Sequence, residues 1–275
     1  MKTSFIGRNH PIIRLLSLFV LPLAAIQGQT IHVSDDIELA NAINTANSSA
    51  SEEVTIAFDN SIMLTSHLPT IQLNHASLTI DGQGFTLSRS PEASGFFRVL
   101  HISSGSVDID RLGIRGGNTD EGSGLLIGSG SVVTLSGCTV SHNAATSEGG
   151  GIQNFGTLTL ASCTVSNNSA YYGGGGIFTR GTVTLENCTI SGNSTEYDGG
   201  GVAVYPIGSA TLIDCTVSNN SAGAYGGGMY NGEATLTLVR TIVSGNTADN
   251  GAEIRHIGTI HLNAYNVFGH DGINN

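Results

Sequence analysis

In the stretch Gly156-Thr-Leu-Thr-Leu160, apolar and polar positions alternate strictly, putting Leu158 and Leu160 on one face of a strand and the threonines on the other. Cys163 and Val165 alternate in the same way. The step from Leu160 to Cys163 is odd, however, so both pairs face one interior only if the chain turns at Ala161-Ser162. The odd step from Val165 to Asn168 requires a second corner at Ser166-Asn167, and a glycine-led run around Ile152 supplies a third side. This pattern recurs. The hexapeptides CTVSHN, CTVSNN, CTISGN and CTVSNN start at Cys138, Cys163, Cys188 and Cys215, followed by TIVSGN from Thr241 and YNVFGH from Tyr265. GGGI, GGGI, GGGV and GGGM start at Gly149, Gly174, Gly199 and Gly226. Successive units are 24 to 27 residues long, a period that marks a stacked array.

Three short strands and three corners per repeat predict an all-β, right-handed parallel β-helix of about eight rungs. At about 4.8 Å per rung this makes a rod roughly 40 Å long. The single 27-residue spacing is absorbed after Val202, where Pro206 forbids a central strand. Asp35 to Ala46 has helical periodicity, with Ile37, Leu39, Ala40 and Ile43 on one stripe, and Val54 to Phe58 alternates like a strand. Together they predict an N-terminal cap over residues 29–60, ahead of a β-helix over 61–275 whose regular rungs occupy 122–275. Leu112 and Ile114 fall on the Cys and Val columns one rung early, and Asn118 to Glu121 reads as irregular chain before the regular rungs. His270 stands where the column asparagine is due, and the last rung lacks a capping pattern, which predicts end-to-end self-association there.

Residues 1–28 have the basic start, apolar centre and small-residue exit of a signal peptide, so a secreted or cell-surface protein is expected, with no membrane insertion after cleavage. Beyond them seven arginines face 21 acids, a formal charge of −14, which excludes nucleic-acid or anionic-membrane binding through bulk charge. The four cysteines share one inward column, where parallel Cβ vectors suit a disulfide poorly. Buried thiols are expected, and no metal site. The asparagine column (Asn143, Asn168, Asn193, Asn220, Asn246) is expected to satisfy buried corner amides.

Function is sought among outward residues. Thr157 and Thr159, Thr182 and Thr184, Ser209 and Thr211, and Thr235 and Thr237 form a flat hydroxyl face, a pattern that suits an exposed strand or an ice-like lattice. Tyr171, Tyr172, Tyr197 and Tyr225 precede the glycine runs beside Glu148, Glu196, Asp198 and Asp249, where rings suit sugars and acids suit Ca²⁺. The polar cluster His101, Asp108, Asp110, Arg111 and Arg115 supplies the catalytic candidates Asp108, Asp110 and Arg111, although Thr134 and Ser136 stand on the next rung where a complementary pair is due.

With Val165-Ser-Asn-Asn168 followed by Gly174-Gly-Gly-Ile177, and the same order in neighbouring units, the chain resembles the passenger repeats of bacterial polymorphic outer membrane proteins. Their signatures are GGAI and FxxN. Val or Ile replaces the family's Phe, Gly replaces its Ala, and the family's C-terminal barrel is missing from the pattern. Regular repeats, a signal segment and the lack of a convergent polar site lead to the expectation of a non-catalytic adhesion or polysaccharide-binding role toward an extracellular glycan or host-surface ligand. A pectate-lyase-like activity on uronic polymers is the alternative, and ice binding a third.

Overall fold

A computed structural model describes residues 28–49, 53–263, 265–269 and 272–274. Residues 1–27, which hold nearly all of the expected signal peptide, and His270 lie outside these residues. The described chain is a parallel β-helix in which one ladder alone contains nine strands, from Ile62–Leu64 to Val267–Phe268. That is one turn more than the expected eight.

Each regular rung carries four short strands, where the sequence suggested three. In one rung these are Ile152–Asn154, Thr157–Ala161, Thr164–Ser166 and Ser169–Ala170. All four pair in parallel with the corresponding strands of the next rung. The extra strand is the two-residue Ser169–Ala170, hidden in sequence because it is too short to show a period. Its ladder begins at Asn118–Thr119, so that stretch is regular and not a loop. The first two ladders are continuous in the strands Ile71–Asp81, Leu100–Asp110 and Leu125–Ser136. They separate from Asn154 onward because its side-chain oxygen accepts from Gly156 N–H at 3.0 Å, closing a local turn that ends the strand. The Thr179 hydroxyl (3.1 Å to Gly181 N) and Asn231 (3.1 Å to Ala234 N) do the same one and three strands along that ladder.

The corners fall where the odd steps placed them. Ser162 (φ 55°) and Asn167 (φ 55°) are left-handed, and the equivalent positions Asn187, Asp214, Asn219 and Arg240 share that conformation. The glycine run is a third such corner. Gly174 sits at φ 62°, and a Cβ there would approach the Ile177 carbonyl oxygen to 2.5 Å, so no other residue fits.

The core is a stack of Leu158, Leu160, Cys163, Val165 and Ile152 with their equivalents, nearly all fully buried. Ile114 pairs with Val140, as expected, and the column continues back through Leu87 to Ile62, well before the repeats become obvious. The asparagine column forms a continuous amide ladder. Asn143 Nδ2 donates to Asn168 Oδ1 at 2.9 Å, Asn168 to Asn193 at 3.0 Å, Asn193 to Asn220 at 2.9 Å and Asn220 to Asn246 at 3.0 Å. Each amide oxygen also takes the backbone N–H of the asparagine before it. The amide dipoles therefore align, with their N–H ends facing the later rungs. The buried Glu253 closes the row, accepting from Asn246 Nδ2 at 2.7 Å and from Gly245 N at 3.0 Å, so a carboxylate meets the positive end of the array.

The cysteines are free and buried. They do more than fill space: the single S–H of Cys163 is shared between the carbonyls of Leu135 and Ala161, each 3.3 Å from Sγ, and Sγ accepts the Cys138 N–H at 3.4 Å. Thr241 takes the next place in the column and its hydroxyl repeats that pattern, accepting from Cys215 N and donating to Leu212 O. Hydrogen bonding to column neighbours, and burial, push the Cys163 and Cys215 thiols up.

At the N-terminal end, the strand Gln29–Val33 pairs with Val54–Phe58, and a helix over Asp36–Ser48 lies against Ile71–Asp81. Asp35 caps the helix through Ile37 N and Glu38 N, while Glu38 reaches back to Ser34 N at 2.8 Å. The buried stripe is Leu39, Ala42, Ile43 and Ala46. Ile37, assigned to that stripe from sequence, lies in the first turn and is 69% exposed.

Candidate functional site

The threonine face is in register. Thr157 pairs with Thr182, then Ser209, Thr235 and Thr259, while Thr159 pairs with Thr184, Thr211, Thr237 and His261. Asp108, aligned with Thr134, and His261 put charge-bearing or titratable groups at both ends of the rows.

The polar cluster spreads out instead of converging. Asp108 and Asp110 stand on the outer side of the second ladder, and Arg111 is at the corner with a left-handed backbone (φ 49°). Arg115 is on the next ladder, and His101 is back on the first, where its Nδ1 lies 3.1 Å from Thr70 Oγ1. Burial, and then the charge of Arg98, hold the His101 imidazole below its ordinary range. The neighbouring rung does contribute one acid, on the side away from Thr134 and Ser136: Asp81 pairs in register with Asp110 and takes Arg111 Nη2 at 2.8 Å. Arg111 is thereby already engaged by a carboxylate. Among the described residues no group of three His, Cys, Asp or Glu side chains is arranged to hold a metal ion.

The tyrosines divide into two groups. Tyr171, Tyr172 and Tyr197 come together with ring centroids 4.9, 5.5 and 5.6 Å apart, all at 44–50% exposure. They are placed by the backbone, since Tyr171 N and Tyr172 N donate to Ser147 O, and Tyr171 O and Tyr172 O take Glu196 N and Asp198 N of the following rung. Beside them runs a groove of about 440 Å³, lined by Ser169, Ser194 and Ser221 in register and by Thr146 and Glu196. Tyr225 does not join this trio. It packs toward Tyr230, with the Arg255 guanidinium 5.8 Å from its ring.

A second assembly escaped the sequence. The outer side of the first ladder carries Gln153, Phe178, Ala203 and Tyr230 in one column, and the first three are fully buried. Tyr205, from the stretch after Val202 that absorbs the 27-residue spacing, folds back over this column. Its ring lies 5.0 Å from Phe178 and 5.5 Å from Tyr230, and Arg180 stacks over Phe178 and Tyr205 at 5.5 and 5.8 Å. The Tyr205 hydroxyl donates to Asp198 Oδ2 at 2.8 Å. Burial pushes the Asp198 carboxyl up against the opposing effect of that bond, and burial does the same to Glu148 against the pull of Arg180. The Gln153 amide nitrogen donates to Glu148 at 3.4 Å, leaving its buried oxygen without a partner. Spacing could have signalled this cluster: an insertion carrying an aromatic residue beside a proline has to pack somewhere. Outward burial on a strand, though, leaves no periodic trace.

The family model of the right-handed β-helix region matches residues 98–267, more than half of the chain, and the chain belongs to that family. Its turns are therefore right-handed, as the repeat pattern predicted. No curated protein and no solved structure matches it.

Proposed function

We propose that this chain is a non-catalytic, exported glycan-binding rod of the adhesion type, comparable in role to the passenger repeats its signatures resemble. The observation that carries the reading is the exposed trio Tyr171, Tyr172 and Tyr197 beside a hydroxyl-lined groove. Aromatic rings held half in water offer apolar faces to sugar C–H groups, and the in-register serines offer donors and acceptors at rung spacing to a repeating chain. Backbone bonds fix the rings before a ligand arrives, so little conformational entropy is lost on binding. Export rests on the composition of residues 1–28.

A screen of the purified chain against a glycan array tests this reading. Retention of one or more polysaccharides is expected; an array without a single hit overturns it. One observation favours a second reading, polysaccharide lyase: Arg111 bonds Asp81 of the neighbouring rung, which stands in register with Asp110. Incubation with pectin and alginate separates the two, since a lyase releases unsaturated uronate absorbing in the ultraviolet and a binding rod releases none.

A further inference from the structure

The outer side of the third-position ladder (Thr86–Arg89, Gly113–Arg115, Thr139–Ser141, Thr164–Ser166 and onward) carries a row of hydroxyls. Thr139, Thr164, Thr189 and Thr216 are in register, as are Ser141, Ser166, Ser191 and Ser218. One rung breaks both rows. Gly113 stands where the threonine belongs and Arg115 where the serine belongs. A notch of about 500 Å³ opens beside Gly113, between Thr86 and Thr139, walled by Arg111 at the corner and Arg115 two residues on, and the Thr86 side chain leans into the space a Gly113 Cβ would take. A second hollow of about 550 Å³ continues from it past Ser88 to His142, and Thr86 and Arg115 line both.

The charge placement is unusual for this chain. It is acidic overall, yet four of the seven arginines beyond residue 28 fall between positions 89 and 115. Arg89 is occupied, donating to the carbonyls of Ala93 and Gly95. Arg98 likewise donates to Glu121 O, and Arg111 spends one N–H on Asp81. Arg115 is exposed, and its guanidinium has neither an ion pair nor a hydrogen bond among the described residues. A fork of five N–H donors held at the junction of two hydroxyl-lined hollows is shaped for an oxyanion. The flanking Thr86, Ser88, Thr139 and Ser141 then suit the hydroxyls of whatever carries that anion. No aromatic ring lines the notch, so nothing there stacks a nucleobase.

We infer that the Gly113 notch is a binding site for the anionic substituent, sulfate ester or carboxylate, of an acidic polysaccharide, with Arg115 as its principal ligand. The site is separate from the tyrosine groove and stands or falls independently of it. Elsewhere the acidic surface repels polyanions, so binding is local to the notch and weakens with salt.

The test is calorimetric titration of the purified chain at low salt with dextran sulfate, polygalacturonate, neutral dextran, sodium sulfate and a DNA oligonucleotide. One or both acidic polysaccharides are expected to bind, neutral dextran not at all and sodium sulfate far more weakly. Arg115→Gln should weaken the interaction about tenfold, the loss of one charge-assisted contact. Gly113→Thr, whose side chain has to push that of Thr86 into the notch, should abolish it while melting as a folded protein. Arg240→Gln removes the same charge from a distant corner and should change nothing. Thermal melts of Arg115→Gln, which loses no bond, report whether the fold is intact. Equal effects of Arg115→Gln and Arg240→Gln would overturn the inference. So would absence of binding by both acidic polymers, binding of free sulfate as tight as that of the polymer, or competition by the oligonucleotide at matched charge.

Discussion

A residue in this fold answers to its column before it answers to its neighbours in sequence. Ser162 shows this most simply, because it occupies a left-handed corner (φ 55°) where other rungs place Asn, Asp, Gly or Arg. A serine there bears a Cβ–carbonyl conflict that glycine avoids, so Ser162→Gly should stabilise the fold by about 0.5–1 kcal/mol in denaturant titration. A loss of stability would mean the corner is not strained. The cysteines make the same point. Their inward direction was readable from alternation, but their hydrogen bonds to carbonyls one rung back were not, because a bond between residues 28 apart leaves no mark on either. Thr241 is the clue in retrospect, a hydroxyl in a thiol's place. Cys163→Ala should therefore cost about 1–2 kcal/mol, a cavity plus unpaired backbone groups, and Cys163→Thr distinctly less. Equal losses would return the thiols to the role of plain fillers.

At the scale of the element, the ladders with clean alternation were legible and the others were not. The second ladder and its corners follow from Leu158-Thr-Leu160 and the odd steps around it. The first ladder is buried on both sides, so Ile152, Gln153 and Asn154 show no alternation, and its outer cover of Phe178, Tyr205 and Asp198 stayed invisible. That cover sets a pH dependence. The Asp198 carboxyl is raised above its ordinary 3.8 by burial. A carboxyl whose folded value lies above its unfolded one contributes its full share of stability below pH 3.8, and loses it as pH rises through the raised folded value. Asp198→Asn keeps an oxygen acceptor for Tyr205 and removes the charge. The melting temperature of Asp198→Asn relative to the parent should then climb as pH increases from 3 toward neutrality. A difference that is flat, or that runs the other way, would show that the Asp198–Tyr205 contact is solvated.

As a whole molecule, the chain is a right-handed rod whose shape was legible from period alone, because a repeat of about 25 residues with inward alternation has few other ways to bury its core. The division into four ladders, the Glu253 terminus of the asparagine row and the parting of Tyr225 from the other tyrosines depend on two-residue strands and on contacts between rungs. What the rod presents outward is more specific than its repeats: one aromatic platform beside a serine row, and one notch where glycine and arginine interrupt another row. Among the described residues no helix is long and apolar enough to cross a membrane. The most direct test of the glycan-binding account takes the strongest array ligand and titrates it calorimetrically into the parent chain and into a Tyr172→Ala, Tyr197→Ala double variant. The account predicts that the variant melts close to the parent, since both rings are half exposed, and binds at least about tenfold more weakly. Unchanged affinity in a folded double variant would contradict it.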